Sequence, residues 1–285
     1  MRRNPGNQYR FVLDGPALKV FKRKLNGVKS DRREDINRLI EESDLVLTGS
    51  GWASNLEKYA IKQSKSRRTK VATFLDHWCN YQDRFQHSGE LVLPDEIWVG
   101  DAYALKIAEE TFRNTPIRLI ENPYLMDIRD EIKLLGKNRV DQANTLHILY
   151  ICEPVSPHAL IKNGREDAFG YTEFEAMDLF VSHLHRLVDS SRKVQVRIRP
   201  HPSEPSGKYD RFAGKVSDKL EITINHGNTL VDDCAWSDWV VGMNSMALVV
   251  ALAAGKKVFC CIPGQSRSRS LPHDGIGNFL ELNEI

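Results

Sequence analysis

The segment SDWVVGMNSMALVVALAAGKKVFCCIPG (residues 237–264) decides the fold class of this chain. An apolar run of strand length leads into a Gly-Met-Asn-Ser loop and a helix of small apolar residues. Gly255 ends that helix, and a second apolar run follows. A strand, a helix and another strand in this order are typical of a βαβ unit with parallel strands. The segment therefore predicts an α/β fold.

The same alternation of short strands and helices extends over the rest of the chain. Predicted strands of a first series cover residues 10–14, 44–50, 70–76, 96–101 and 117–122, and those of a second series cover 146–154, 194–202, 220–227, 238–245 and 256–264. A polar stretch at residues 127–144 separates the two series. We predict two Rossmann-like domains, residues 1–140 and 141–285, which face one another across a cleft and bind ligands at strand carboxyl ends.

The composition is that of a soluble globular protein, with 41% hydrophobic and 27% charged residues in a chain of 285. Lys and Arg (40) nearly balance Asp and Glu (38), so nucleic acid is not an expected partner. The five cysteines lack metal-site spacing, and no apolar segment is long enough for a membrane span. We expect a cytoplasmic location. The basic runs at residues 19–24 and 64–70 are typical of exposed helix faces; peripheral association with the inner face of a membrane is the alternative.

The segment VRIRPHPSE (residues 196–204) ends a predicted strand with a histidine between two prolines. The prolines restrict the backbone and would fix the direction of the His201 ring at the sheet edge. A histidine with a near-neutral pKa suits either contact with a phosphate or protonation of a leaving group. A purely structural histidine is the alternative. We assign Arg199, His201 and Pro202 to a predicted phosphate site.

The loop from Gly242 to Ser245 opens a predicted helix, where free backbone N–H groups and the positive end of the helix dipole favour phosphate. Asn244 or Ser245 would also serve as an ordinary N-cap, which is compatible with that role. Two further segments carry candidate donor contacts, Glu153 at the carboxyl end of the strand predicted at 146–154 and Arg267 in the late polar loop. Both segments read equally well as solvated surface.

The order of a strand, RPHP and then the segment at 237–258 resembles the nucleotide-binding half of GT-B glycosyltransferases. Within that fold it is most similar to bacterial enzymes with CMP- or CDP-linked donors, namely sialyl-, polysialyl-, Kdo and teichoic acid transferases. Those families direct a His-Pro motif and a later serine motif at the donor phosphate. The matching positions are His201 with Pro202, and Ser245 with Asn244, although many members have two adjacent hydroxyl residues where this chain has Asn-Ser-Met. The resemblance covers residues 146–264.

The resemblance implies a glycosyltransferase that moves a sugar or polyol phosphate from a cytidine nucleotide to a cell-surface glycan. The transfer would be inverting and independent of metal, with the nucleotide sugar as substrate and no cofactor. No carboxylate cluster of metal-site type is evident, and Asp232 and Asp233 are expected to face solvent or cap a short helix. Because the chain is short for a complete transferase, a sugar-nucleotide epimerase or hydrolase of the same fold is the alternative. A non-catalytic nucleotide-sugar-binding module is a third possibility.

Two segments of the first half are candidates for the acceptor side. Residues 48–57 (TGSGWASNLE) form a Gly/Ser loop in which Gly49, Ser50 and Gly51 permit close approach of a ligand. Residues 74–85 (FLDHWCNYQDRF) combine aromatic and planar polar side chains, which commonly grip carbohydrates. The candidates in this second segment are Asp76, His77, Trp78 and Arg84. An ordinary polar turn with a buried tryptophan is the competing interpretation.

Asp76 is the leading candidate for a general base, because it stands at the carboxyl end of a predicted strand. An inverting transfer needs a group that removes the proton of the acceptor hydroxyl. The resemblance implies such a base on the amino-terminal side of the cleft without specifying the residue. Four other acids remain open as candidates: Asp14, Glu57, Asp101 and Glu121.

Overall fold

A computed structural model describes residues 6–25, 27–51, 55–137, 144–187, 192–225, 227–264 and 271–282. The chain divides into two compact units, Met1–Glu121 and Asn122–Ile285. Both units contain a parallel sheet, so the predicted α/β class is confirmed. The cleft between them stays a prediction.

The first unit is built on four parallel strands. Its strands are β1 (Leu45–Thr48), β2 (Lys70–Leu75), the short pair β3 (Gln86–His87) and β4 (Glu90–Leu91), β5 (Glu96–Val99) and β6 (Ile117–Leu119). Its helices are α1 (Pro16–Lys24), α2 (Ile36–Glu41), α3 (Leu56–Arg67), α4 (Tyr81–Phe85) and α5 (Ala102–Thr111). The parallel strands lie in the order β1-β2-β5-β6, while β3 and β4 form a separate antiparallel hairpin. The central strands β2 and β5 are buried, as expected where neighbouring elements cover a parallel sheet.

The strand predicted at residues 10–14 is wrong, because this stretch runs irregularly outside the sheet. Its hydrogen bonds go to the chain after α1, from Leu13 N to Ser30 Oγ and from Asp31 N to the Phe11 carbonyl. The Phe11 ring meets Phe21 of α1 edge to face, with centroids 5.4 Å apart. The apolar residues of this stretch therefore pack against a local helix rather than in a sheet.

The second unit contains seven strands and five helices among the residues that the structure describes. The strands are β7 (Thr145–Ile151), β8 (Lys193–Arg199), β9 (Gly214–Lys215), β10 (Leu220–Ile224), β11 (Trp239–Gly242), β12 (Lys257–Cys260) and β13 (Ile276–Asn278). The helices are α6 (Pro123–Gly136), α7 (Val155–Asn163), α8 (Glu173–Leu187), α9 (Leu230–Trp236) and α10 (Met246–Ala253).

The strand order of this second sheet is β13-β12-β11-β7-β8-β10-β9. All neighbours are parallel except β9, a short antiparallel edge strand. In order of appearance the six parallel strands read 3-2-1-4-5-6, which is the Rossmann arrangement. The order reverses between β7 and β11, and ligands of open α/β sheets bind in the crevice at the carboxyl ends of such strands. Glu153 follows β7, and the loop that begins at Gly242 follows β11.

Helix α6 belongs to the second unit, whereas the predicted boundary at 140/141 assigned it to the first. It packs against α9 and α10 and buries Ile128 and Ile132. Because these contacts lie within the second unit, the division of the chain falls before α6, at residues 121 and 122.

The basic run at residues 64–70 forms ion pairs within the first unit. Lys65 contacts Asp95 at 3.2 Å, Arg67 contacts Glu41 at 2.8 Å and Lys70 contacts Glu96 at 2.8 Å. This run is therefore an ion-paired surface. Among the described residues, no helix is both long and apolar enough to cross a membrane.

Candidate functional site

Three predicted donor-side segments meet the carboxyl edge of the second sheet. Strands β11, β7 and β8 are direct neighbours and parallel, so the loops that follow them emerge at the same edge. These loops carry Gly242–Ser245, Glu153 and His201, respectively. The contact between the first two is direct, since Oε1 of Glu153 accepts a hydrogen bond from Asn244 N at 2.7 Å.

His201 is held by the two residues that end the VRIRPHPSE segment, Glu204 at its backbone and Ser203 at its ring. Oε2 of Glu204 accepts a hydrogen bond from the His201 backbone N–H at 2.7 Å. The backbone N–H of Ser203 donates to Nδ1 at 3.2 Å, and the Ser203 hydroxyl lies 2.7 Å from the same nitrogen. Burial lowers the pKa of His201 below its usual value. With Nδ1 as acceptor, the neutral ring carries its proton on Nε2, which makes Nε2–H a hydrogen-bond donor.

Glu204 anchors this loop, and the sequence reasoning missed that role. Its side chain is almost wholly buried and accepts from the Tyr209 hydroxyl at 2.7 Å and from Lys208 Nζ at 2.8 Å. Lys208 also pairs with the buried Glu173, whose Oε2 accepts from Ser156 N at the start of α7. The signal was present in the Ser-Glu pair after the second proline. A buried carboxylate that accepts several hydrogen bonds fixes the backbone conformation at His201.

Arg199 has a different environment from the one predicted. Its Nη1 bonds to Asp233 Oδ2 at 2.8 Å and to the Asn228 carbonyl at 2.9 Å. The guanidinium is therefore paired within the chain rather than open to a phosphate. Pro202 is exposed beside His201.

Asp233 is fully buried, which corrects the expectation that it faces solvent or caps a helix. It lies on α9 and also accepts from Nη1 of Arg197, a residue of β8, at 3.0 Å. Arg197 in turn stacks over the Trp236 ring at 3.9 Å. Asp232, which precedes Asp233 in the chain, does cap α9 through a reciprocal pair of hydrogen bonds with Thr229. Asp233 therefore joins two arginines of β8 to α9.

The N–H groups of the loop after β11 already hold an anion, the Glu153 carboxylate. That side chain accepts from Asn244 N at 2.7 Å, the backbone N–H groups of Met243 and Ser245 also favour its charged form, and Ser245 Oγ caps α10 by accepting from Ala247 N at 3.2 Å. The expectation of free N–H groups at this loop is thus wrong for the structure as it stands. Burial raises the pKa of Glu153 to about 7, although the three N–H groups act in the opposite direction.

Gly242 is required at its position by close packing. A Cβ there would lie 3.1 Å from the Ile151 carbonyl oxygen and 3.2 Å from Leu248 Cδ2. Both neighbours are buried parts of β7 and α10 that cannot easily move. The absence of a side chain at Gly242 therefore lets β7 and α10 pack closely at this position, next to Glu153.

We expect the stability of the protein to fall as pH rises through the titration range of Glu153. Its pKa in the folded protein lies above the ordinary 4.5, so the folded state binds this proton more tightly than the unfolded state. Between about pH 4.5 and 7 this group should remove about 3 kcal/mol from the free energy of unfolding. Urea denaturation of the wild type and Glu153→Gln at pH 5 and pH 8 measures the difference. An identical pH dependence of the two proteins would contradict the assignment.

The first unit brings together three of the predicted acceptor-side residues at the carboxyl ends of β1 and β2. Ser50 Oγ donates to Asp76 Oδ1 at 3.1 Å. Arg84 Nη1 donates to the Ser50 carbonyl at 2.9 Å and lies 3.6 Å from Asp76 Oδ1. The Arg84 side chain is only 8% exposed, whereas that of Asp76 is 64% exposed. Asp76 is therefore an accessible carboxylate beside a fixed cation, and a general base must lie within reach of the hydroxyl that it deprotonates.

The Gly/Ser loop also meets a second acid, Glu57. A Cβ at Gly51 would lie 3.2 Å from Glu57 Oε1, while Gly49 has open space at that position. Oε2 of Glu57 is buried and has no hydrogen-bond partner within the part of the chain that the structure describes. Gly51 is thus a position of close approach, next to an acid that remains a candidate base.

Trp78 and His77 are less open to a ligand than the prediction assumed. The Trp78 indole is 6% exposed and donates Nε1–H to Asp101 Oδ2 at 2.9 Å, as in the competing interpretation of a buried tryptophan. Asp101 also caps α5 by accepting from Ala104 N at 2.8 Å. Trp78 N donates to His77 Nδ1 at 3.0 Å, and burial together with the Arg84 charge lowers the pKa of His77. Asp101 is therefore a structural acid.

The remaining candidates are dispersed. Asp14 accepts a bond from Gly15 N at the start of α1, and Glu121 is exposed after β6. Arg267 lies outside the described residues. No group of three or more His, Cys, Asp or Glu side chains is placed to hold a metal ion in the described ranges.

These features define the class of protein: an α/β protein with two parallel-sheet units, of which the second has the Rossmann strand order. No protein-family model and no curated protein sequence matches the chain. Among solved structures, the chain is similar to KpsC of Thermosulfurimonas dismutans, a beta Kdo 2,7 transferase. The match has 13% sequence identity and a TM-score of 0.32, and covers 80% of this chain and 87% of that one. The fold assignment rests on the sheets themselves and not on this overlap.

Proposed function

We propose that this protein is a GT-B-type glycosyltransferase that transfers a sugar or polyol phosphate from a CMP- or CDP-linked donor to a cell-surface glycan. The observation that carries the proposal is the His201 ring at the carboxyl edge of a Rossmann-ordered sheet, where its Nδ1 accepts from Ser203 N and its backbone N–H donates to Glu204. A neutral hydrogen-bond donor that is held rigidly at this edge suits a phosphate oxygen that gains negative charge during the reaction. In this proposal the second unit binds the donor and the first unit binds the acceptor.

The proposed reaction assigns one task to each group. When a sugar is transferred, the acceptor oxygen forms a bond to the anomeric carbon while the bond from that carbon to the donor phosphate oxygen breaks; when a polyol phosphate is transferred, the acceptor oxygen forms a bond to its phosphorus while the bond from that phosphorus to the nucleotide phosphate oxygen breaks. Asp76 takes the proton of the acceptor hydroxyl, and His201 donates a hydrogen bond to the leaving phosphate. The reaction inverts the anomeric carbon and requires neither a metal nor a cofactor.

The donor phosphate would replace the Glu153 carboxylate on the backbone N–H groups of Met243, Asn244 and Ser245. Both are anions that accept from the same donors, so they compete for one position. A Glu153 pKa near 7 supports this exchange, because protonation weakens the hold of the carboxylate on the loop. Ser245, the N-cap of α10, then remains next to the phosphate.

Thermal denaturation in the presence of CMP, CDP, UDP and GDP tests the donor assignment. Binding to the native state raises stability by mass action, by about 2.7 kcal/mol at a ligand concentration one hundred times Kd. We expect CMP or CDP to raise the Tm of the wild type more than UDP or GDP, and the rise to shrink in His201→Ala. Stabilisation by UDP alone would overturn the cytidine assignment, and no stabilisation by any nucleotide would overturn the function.

Product analysis with a labelled donor separates transfer from the alternatives. A glycan that carries the label supports the transferase. Free sugar without a labelled glycan would instead indicate a hydrolase, and an isomerised sugar would indicate an epimerase. Nucleotide binding without turnover under any acceptor would indicate a binding module.

A further inference from the structure

The first unit has a groove that does not include the Ser50–Asp76–Arg84 contacts. Several polar side chains of this groove have no role in the proposed reaction. The groove is lined by the segment that follows β2, by helix α4 and by the carboxyl-terminal half of helix α5. The residues that line it are Trp78, Cys79, Asn80, Tyr81, Gln82, Asp83, Ile107, Glu110 and Thr111. It therefore combines an aromatic and aliphatic floor with exposed amide and carboxylate side chains.

Tyr81 is the first unusual feature of this groove. Its side chain is 4% exposed, and its hydroxyl has no hydrogen-bond partner within the described residues. Its ring stacks on Phe112 with centroids 6.3 Å apart, so the side chain is held in place. Burial raises the pKa of this hydroxyl, which stays protonated at neutral pH. A buried hydroxyl without a partner is costly, and a ligand hydroxyl that reached it from the groove would satisfy it.

The charge of the groove is the second feature. Asp83 and Glu110 are both exposed, and neither forms an ion pair in the described part of the first unit. The lining residues include no lysine, arginine or histidine. Elsewhere in this unit, carboxylates such as Glu41 and Glu96 have cationic partners. A ligand with a negative charge would be repelled here, whereas a protonated amine would be attracted.

We propose that this groove binds an amino-sugar unit of a glycan chain. Asn80 and Gln82 supply planar amides for sugar hydroxyls, the Tyr81 hydroxyl meets another, and the carboxylates of Asp83 and Glu110 attract the amine. The lining thus selects against acidic sugars. The inference rests on the proposed function in one respect, because it makes the groove a subsite for the acceptor glycan.

Titration calorimetry with three disaccharides tests this inference on the full chain. The probes are the disaccharide of glucosamine, its N,N'-diacetyl form and digalacturonate. We expect the strongest binding for the glucosamine disaccharide, weaker binding for the acetylated one and the weakest for digalacturonate. Equal or stronger binding of digalacturonate, or binding of none of the three, would overturn the proposal.

Variants locate the binding. Tyr81→Phe should weaken the glucosamine disaccharide about threefold to tenfold, the usual worth of one hydrogen bond, without loss of thermal stability, since an unpartnered hydroxyl is removed. Glu110→Gln combined with Asp83→Asn should weaken it by a similar factor, while the acetylated probe changes little. Glu109→Gln is the matched control, because Glu109 precedes Glu110 on α5 and does not line the groove. Unchanged affinity in the groove variants would place the binding elsewhere and overturn the assignment.

The result is separable from the test of the proposed function. Nucleotide stabilisation depends on the second unit, whereas disaccharide binding depends on the groove of the first. If the disaccharides do not bind but nucleotides still stabilise the protein, only the proposal for the groove is overturned. Loss of nucleotide binding with retained disaccharide binding leaves a glycan-binding protein that is not a transferase.

Discussion

Replacement of His201 by alanine is expected to lower donor turnover by about two to four orders of magnitude while the protein remains folded. The reason is the loss of the fixed Nε2–H, which stabilises the departing phosphate in the proposed reaction. The ring is half-buried and its own contacts are with Ser203, so its removal leaves no buried charge. Turnover is measured as release of labelled nucleotide from a donor that carries the nucleotide found to stabilise the wild type. Circular dichroism checks the fold.

His158 provides a control for this substitution. It lies on α7, is exposed, and is near enough to His201 for its charge to lower the pKa of that ring. His158→Ala should change turnover by only a few-fold, because His158 has no proposed contact with the donor. Near-normal turnover of His201→Ala would remove His201 from the reaction, and an equal loss in both variants would point to a general disturbance of the loop.

Asp233→Ala is expected to destabilise the protein by about 3–5 kcal/mol, the usual cost of removing one partner of a buried ion pair. The substitution leaves Arg197 and Arg199 without their carboxylate in a partly buried environment. It also removes a partner of Asn225 and Asn228, which shape the loop before α9. Urea denaturation at pH 7 measures the change in the free energy of unfolding.

Asp232→Ala is the matched control for this prediction. It removes the neighbouring acid on the same helix, which is exposed and belongs to the capping box with Thr229. Loss of such a cap costs about 1 kcal/mol. Equal destabilisation by the two substitutions would show that Asp233 contributes as a helix-end residue rather than as the anchor of the two arginines.

The fold class was readable from local patterns. The apolar runs that form β7, β8, β11 and β12 are continuous and end at turn residues, and the small-residue helix ends at Gly255. Central parallel strands are covered on both faces, so their signal in sequence is strong. The short edge strands β9 and β13 were missed, because an edge strand of two or three residues carries little apolar pattern.

The irregular path of residues 10–14 and the position of α6 show the opposite limit. RFVLD has the composition of a strand, yet Phe11 packs against Phe21 and the segment joins no sheet. Helix α6 was expected in the first domain but packs on α9 and α10. In both cases a tertiary contact determined the outcome: that of Phe11 with Phe21 kept residues 10–14 out of the sheet, and those of α6 with α9 and α10 placed this helix in the second unit. Local propensity does not encode such contacts.

The sequence by itself determined which residues stand at strand ends, His201 and Asp76 among them, because strand ends are marked by local apolar runs and turn residues. Only the tertiary structure decided what those residues meet. The pairing of Glu153 with Asn244 joins positions 91 residues apart, and that of Asp233 with Arg197 joins positions 36 apart. Such bonds depend on the order in which strands assemble, and a parallel sheet brings together segments that are remote in the chain.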